Sequence, residues 1–252
     1  MDNFIAHARA SERGLLGTWA KLPTLETIQL LAHAGFDLVV IDLEHAPLTT
    51  YRAVEMAFAA QAMGMAAIVR LPDHTSYGLI QPLLDGGVDG LLVPRVSRLE
   101  DATAIARRMV FAPTGERGLG TTSRAGAWGL GAMPDYVARG NEGCLRMIQL
   151  EDWESLEAAA DFAAVEHVNG VFIGHGDLYL SSGKPASHPE VRALTARVLD
   201  AAQKAGVLSG AAAATPEQAR DYLAMGFSIV MVSNDTTLFG KAAAEAVRAS
   251  RG

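Results

Sequence analysis

The stretch DLVVIDLEHAP, Asp37 to Pro47, decides how this chain is read. Its apolar run 38–41 is uninterrupted and rich in β-favouring residues, the pattern of a strand buried on both faces, and such strands belong to parallel sheets covered by helices. The run then delivers Asp42, Glu44 and His45 within four residues. Packing gives no reason for three ionisable groups at the end of a buried strand, so they point to chemistry.

Outward from this stretch the same unit repeats. Before it, a strand at 15–20 and a helix at 24–33 closed by Gly35 are predicted; after it come a helix at 50–63, a strand at 66–71 and a helix at 77–85. A strand at 90–96 and a helix at 99–108 follow. The segment 109–143 then breaks the pattern with RGLGTTSRAGAWGLG, too glycine-rich for a stable helix, and loops of this length in a domain are functional or disordered. Alternation resumes with a strand at 145–150, a helix at 153–164, a strand at 170–173, the loop GHGDLYLSSGKPASHP and a helix at 189–205. The last two units are a strand at 207–212 with a helix from Thr215 to Met225, and a strand at 229–232 with a helix at 237–249. Eight such units over 1–252, with no compositional boundary, predict one (β/α)8 TIM barrel, since parallel strands need crossover helices and eight close the sheet. An open doubly wound sheet would carry a glycine-rich turn after the first strand, where this chain has AKLPT.

Composition narrows the class. Of 252 residues 50% are hydrophobic and 19% charged, enough to bury a large core. The 21 Lys and Arg against 28 Asp and Glu give a net charge of −7, which disfavours nucleic acid and anionic membrane as partners. The single Cys144 rules out an internal disulfide and suits a reducing compartment. With no signal-peptide core and no apolar run of membrane length, the expected location is the cytoplasm.

Barrel active sites are assembled from the C-terminal ends of strands. These ends deliver Trp19 and Lys21; Asp42, Glu44 and His45; Arg70; Arg95; Gln149, Glu151 and Asp152; Gly174, His175, Gly176 and Asp177; and Asn234 and Asp235. Glu151 and Asp177 each follow an apolar strand, where they either cap a helix or converge on a hard divalent cation such as Mg²⁺ or Mn²⁺, with Co²⁺ also compatible. His45 reads as zinc ligand, surface histidine or general base, and the lack of a second histidine at ligand spacing favours the base. Arg70, costly to bury alone, faces a carboxylate or an anionic substrate. Trp19 either packs the barrel top or touches substrate. Asp85, at the end of its helix, could orient His45, though spacing alone does not bring them together. Only Lys21 lies where an imine-forming lysine could act, which weighs against Schiff-base chemistry.

The segments IDLEHAPL, IVRLP, PLLDGG, LLVPRV, RGLG, MIQLED, VFIGHGDL and NDTTLF, in this order, resemble the HpcH/HpaI aldolase family of metal-dependent class II pyruvate aldolases. The resemblance runs from GTWAK near Gly17 to Phe239. It implies a homohexamer, a trimer of dimers, whose subunits exchange their last helix and share active sites. It implies Glu151 and Asp177 as metal ligands, and a 2-oxo acid held by the metal and by backbone N–H groups around Gly174 to Gly176. Arg70 would polarise the keto group, His45 paired with Asp85 would be the base, and Gln149 would lie beside the metal-bound water. Asp42 would stand behind these groups or on the acceptor side, and Glu44 has no role. Three departures stand out: Leu43 where a glycine is common, FIGHGDL where FIGPADL is common, and Asp152 where a threonine is common. The altered donor loop admits hydroxypyruvate in place of pyruvate, with His175 serving its hydroxyl. The implied activity is reversible aldol addition between a 2-oxo acid enolate and an aldehyde. The competing readings are a lyase acting on a CoA thioester, with Arg117 and Arg124 for the nucleotide phosphates, and a barrel that binds 2-oxo acids without catalysis.

Overall fold

The computed structural model describes residues 3–251; the expected domain limits 1 and 252 lie outside them. Eight parallel strands close into a barrel in sequence order: β1 (Leu15–Ala20), β2 (Leu38–Asp42), β3 (Ala66–Arg70), β4 (Gly90–Val93), β5 (Leu145–Leu150), β6 (Gly170–Ile173), β7 (Leu208–Ala213) and β8 (Ile229–Asn234). The predicted TIM barrel is therefore the fold. Around it in chain order run α1 (Phe4–Ala10), α2 (Leu25–His33), α3 (Thr50–Ala62), α4 (Tyr77–Asp85), α5 (Leu99–Arg108), α6 (Met133–Ala138), α7 (Trp153–Glu157) and α8 (Ala159–Ala163). The last four are α9 (His175–Ser182), α10 (Pro189–Ala205), α11 (Pro216–Met225) and α12 (Asp235–Arg251).

The side-chain period of two sorts each strand into an inner and an outer row. Leu38 and Val40, Ala66 and Ile68, Leu145 and Met147, and Phe172 fill the interior with Met231, while Val39, Ile41, Ala67, Val69, Ile148 and Val171 face the helices. Continuing the inner rows by one step brings Asp42, Arg70, Gln149 and Gly174 to the mouth of the barrel.

Several segments depart from expectation. Phe4, Ile5 and Ala8 of α1 join the interior cluster with Leu15, so this helix plugs the barrel at the strands' N-terminal ends. Seven residues are too few to show helical periodicity in sequence. The presumed loop after β6 opens with α9, terminated by Gly183 in the left-handed region at φ 67°. The expected helix 153–164 divides at Ala158 into α7 and α8. The glycine-rich insert joins the end of α5 to the start of β5, so it lies at the N-terminal face, away from the mouth, and α6 breaks its irregularity. There Arg117 donates to Asp85 (3.1 Å) and to the Tyr136 hydroxyl, and Arg124 donates to the carbonyls of Gly86 and Gly87 and to Gln61.

The final helix is attached but not packed. Asp235, buried at its first position, accepts from the backbone N–H groups of Lys21 (2.9 Å), Leu22 (2.8 Å) and Thr236. Beyond it Leu238, Phe239 and Val247 are exposed. Among the described residues no helix is long and apolar enough to cross a membrane.

Candidate active site

Asp42 and Arg70 face each other across the β2–β3 register. The Arg70 guanidinium donates from Nε to Asp42 Oδ1 at 2.9 Å and from Nη2 to Oδ2 at 2.7 Å, a two-point pairing that fixes its plane. Lys21 Nζ lies 3.1 Å from the same carboxylate. Burial pushes the Asp42 carboxyl up, but Arg70 and Lys21 outweigh it and hold its pKa below the ordinary value. Oδ1 also accepts from the N–H groups of Glu44 and His45, shaping the turn that presents both. Asp42 thus fixes Arg70 and the turn from behind the mouth.

Glu44 is the residue that sequence reasoning left without a role. Its buried carboxylate lies 2.9 Å from Arg70 Nη1, 3.5 Å from Arg95 Nε and 3.6 Å from His45 Nε2. Burial raises its pKa more than these neighbours lower it. The signal was its place between Asp42 and His45. Trp19 lies beneath the Arg70 guanidinium, 4.2 Å from ring centroid to Cζ, and meets Phe172 edge to face. It forms the floor of the site.

Gln149, on the inner row of β5, and Glu151, just past the strand's end, are both buried. The Gln149 amide donates to Glu151 Oε2, and the Arg95 backbone N–H donates to Oε1 at 2.7 Å. Burial, and then the charge of Asp177 in the first turn of α9, push the Glu151 carboxyl up to about 7. Two carboxylates that repel each other in a partly dry site favour a cation. Gln149 Oε1 is buried without a partner. A Cβ on Gly174 would sit 2.6 Å from Glu151 Oε2 and 2.7 Å from Gln149 Nε2, so only glycine leaves that space open. Among the described residues no three metal-binding side chains gather. The donor set therefore fits a hard, oxygen-preferring cation completed by water and substrate, and does not fit zinc.

Two sequence assignments change. His175 turns away from the mouth: its Nδ1–H donates to the Ala212 carbonyl (3.2 Å), its Nε2 accepts from Thr195 Oγ1 (3.1 Å), and the ring stacks on Tyr222. Burial lowers its pKa to about 4, so it is neutral there and is spent on packing rather than on a donor hydroxyl. Asp85 is not beside His45 within the chain. Helices that follow barrel strands return to the N-terminal face, and Asp85 ends α4 there, bonded to Gln81, Arg117 and Tyr136. His45, half exposed at the mouth, has Glu44 as its neighbouring carboxylate. Arg117 and Arg124 are occupied at the same far face, which removes the local phosphate-binding candidates of the CoA-thioester reading.

A family model described as HpcH/HpaI aldolase/citrate lyase matches residues 15–242. A hydroxypyruvate/pyruvate aldolase of Deinococcus radiodurans is 37% identical over 250 residues, 96% of this chain and 88% of the relative. A 4-hydroxy-2-oxo-heptane-1,7-dioate aldolase of Escherichia coli is 34% identical over 246 residues, 96% of this chain and 93% of the relative. Among solved structures, an HpcH/HpaI aldolase/citrate lyase family protein of Burkholderia cenocepacia J2315 is similar with a TM-score of 0.88 at 30% identity, covering 98% of each chain. A match of this breadth, over a barrel whose strand ends carry an arginine, a histidine and a pair of carboxylates, makes the chain a member of the HpcH/HpaI aldolase/citrate lyase family.

Proposed function

We propose that the chain is a divalent-metal-dependent class II aldolase, making and breaking the bond between a small 2-oxo acid, pyruvate or hydroxypyruvate, and an aldehyde. The observation that carries this reading lies at the strand ends: an arginine held flat by Asp42, and a carboxyl at Glu151 raised by burial and by the charge of Asp177. Glu151 and Asp177 would hold Mg²⁺ or Mn²⁺, which supplies Lewis-acid polarisation of a keto group when bound. The N–H groups at the start of α9 suit the carboxylate of the 2-oxo acid, because a helix N-terminus favours an anion. His45 takes the C3 proton, and Arg70 donates to the oxygen on which enolate charge develops.

The test is exchange of the C3 protons of pyruvate in D₂O, followed by NMR with Mn²⁺ and then with EDTA. Exchange that chelation abolishes supports the reading. Exchange indifferent to chelator overturns the metal role, and binding of pyruvate with no exchange favours a non-catalytic barrel.

The same reading includes a homohexamer in which α12 lies on a neighbouring copy. It is supported by the exposed Leu238, Phe239 and Val247 on α12, and by the exposed Tyr51, Phe58 and Trp128 beside Asp85 on the barrel's flank. A His45–Asp85 pair would then form between copies, since one chain keeps them at opposite ends. A cytoplasmic setting agrees with the lone, buried Cys144.

A further inference from the structure

Among the described residues, Arg95 is the one cation at the mouth that the aldolase reading leaves without work. It follows β4 between the buried Pro94 and Val96, and its backbone is left-handed at φ 55°. That conformation favours glycine, and a non-glycine residue held there is strained. Its N–H holds Glu151 Oε1, but glycine would supply the same N–H without strain. The backbone therefore gives no reason for an arginine, and the reason must lie in the side chain.

That side chain differs from the other two cations of the site. Lys21 and Arg70 are drawn onto Asp42, and Arg70 onto Glu44 as well. The Arg95 side chain is 56% exposed; its Nη2 donates to the neutral carbonyl of Pro72, and its Nε stands 3.5 Å from Glu44 Oε1. Among the described residues no hydrogen bond engages its Nη1. Glu44 stands between Arg95 on one side and His45 on the other, so the guanidinium is poised beside the proposed base on the open side of the mouth. We propose that Arg95 selects an aldehyde that carries its own anionic group, a carboxylate or a phosphate, by pairing with that group as the aldehyde's reactive end enters beside His45. Guanidinium geometry matches either anion at two points.

This inference rests on the aldolase reading, and the experiment separates the two. kcat and KM are measured with a 2-oxo acid donor for succinic semialdehyde against butanal, and for glyceraldehyde 3-phosphate against glyceraldehyde. Each comparison is made in the wild type, Arg95→Gly, Arg95→Gln and Arg95→Lys, with C3 proton exchange of pyruvate followed in parallel. Arg95→Gly relieves the backbone and keeps the N–H to Glu151, so it removes the charge without threatening the fold. The expected result is a preference of the wild type for the charged member of at least one pair. That preference falls tenfold or more in Arg95→Gly and Arg95→Gln, mostly through KM, and is largely restored in Arg95→Lys. Whichever pair responds identifies the anion. A preference unchanged in Arg95→Gly, or an equal loss for charged and neutral aldehydes, overturns the inference while exchange stands. Absence of exchange in the wild type overturns the aldolase reading and this inference with it.

Discussion

At the scale of single residues the site is governed by two carboxyls with opposite histories. Asp42 is held ionised by Arg70 and Lys21, whereas Glu151 is driven up to about 7 by burial and by Asp177. For Glu151 in the metal-free protein, the folded pKa exceeds the unfolded one. Its stabilising contribution is therefore complete below about pH 4.5 and is lost as pH rises through 7. Thermal melts in EDTA should show that decline between pH 5 and 8; Glu151→Gln should flatten it, and Mn²⁺ should offset it. Gly174→Ala should weaken Mn²⁺ binding at least tenfold in a titration while leaving the circular dichroism spectrum unchanged, because the added Cβ intrudes on Glu151 and Gln149. Arg70→Ala should lower kcat/KM by about 10² to 10³, the usual effect of deleting one donor to a developing oxyanion. The types of these residues were legible in sequence because each ends an apolar strand. Their pairings were not, since Asp42 with Arg70 is a matter of register between strands, and Glu44 finds Arg70 and Arg95 only when β2, β3 and β4 are side by side.

At the scale of elements, alternation and breakers located all eight strands, because a barrel strand buried on both faces leaves a short β-favouring apolar run whose length and flanking breakers set it apart from a helix. Short helices escaped. α1 and α9 have seven and eight residues, too few for a 3.6-residue period to emerge, and Gly176 disguised the second. That helix alters the meaning of His175, which it rotates toward β7, α10 and α11. Because burial depresses its pKa to about 4, His175 contributes stability that is complete above about pH 6.5 and is lost as pH falls toward 4. Hydrogen exchange should show α9 and the last turn of α11, around Tyr222, loosening first on acidification. His175→Gln should shift that loosening to lower pH.

At the scale of the whole molecule, the barrel has a mouth that carries the chemistry and a far end closed by α1 and the glycine-rich insert. The insert read from its length as functional or disordered, yet it is tied to Asp85, Gln61 and α6 at the closed end, so any catalytic part it plays must concern another copy. Light scattering should report a hexamer, and Phe239→Glu should reduce it to smaller species with the barrel's circular dichroism retained. Sequence patterning alone could not show that α12 would stand off the barrel, because an amphipathic helix reads the same whether its apolar stripe meets its own core or a neighbour's. The joint at its base is more telling. Asp235 is stitched to the turn after β1 by two N–H groups, so α12 leaves the barrel as a rigid lever rather than a tether. Its bearing is fixed before any second subunit arrives, and little orientational freedom remains to be lost on docking. An Asp235→Ala chain should keep its helix and its barrel but swing freely at that hinge, and its assemblies should come apart on dilution at concentrations where the wild type stays whole.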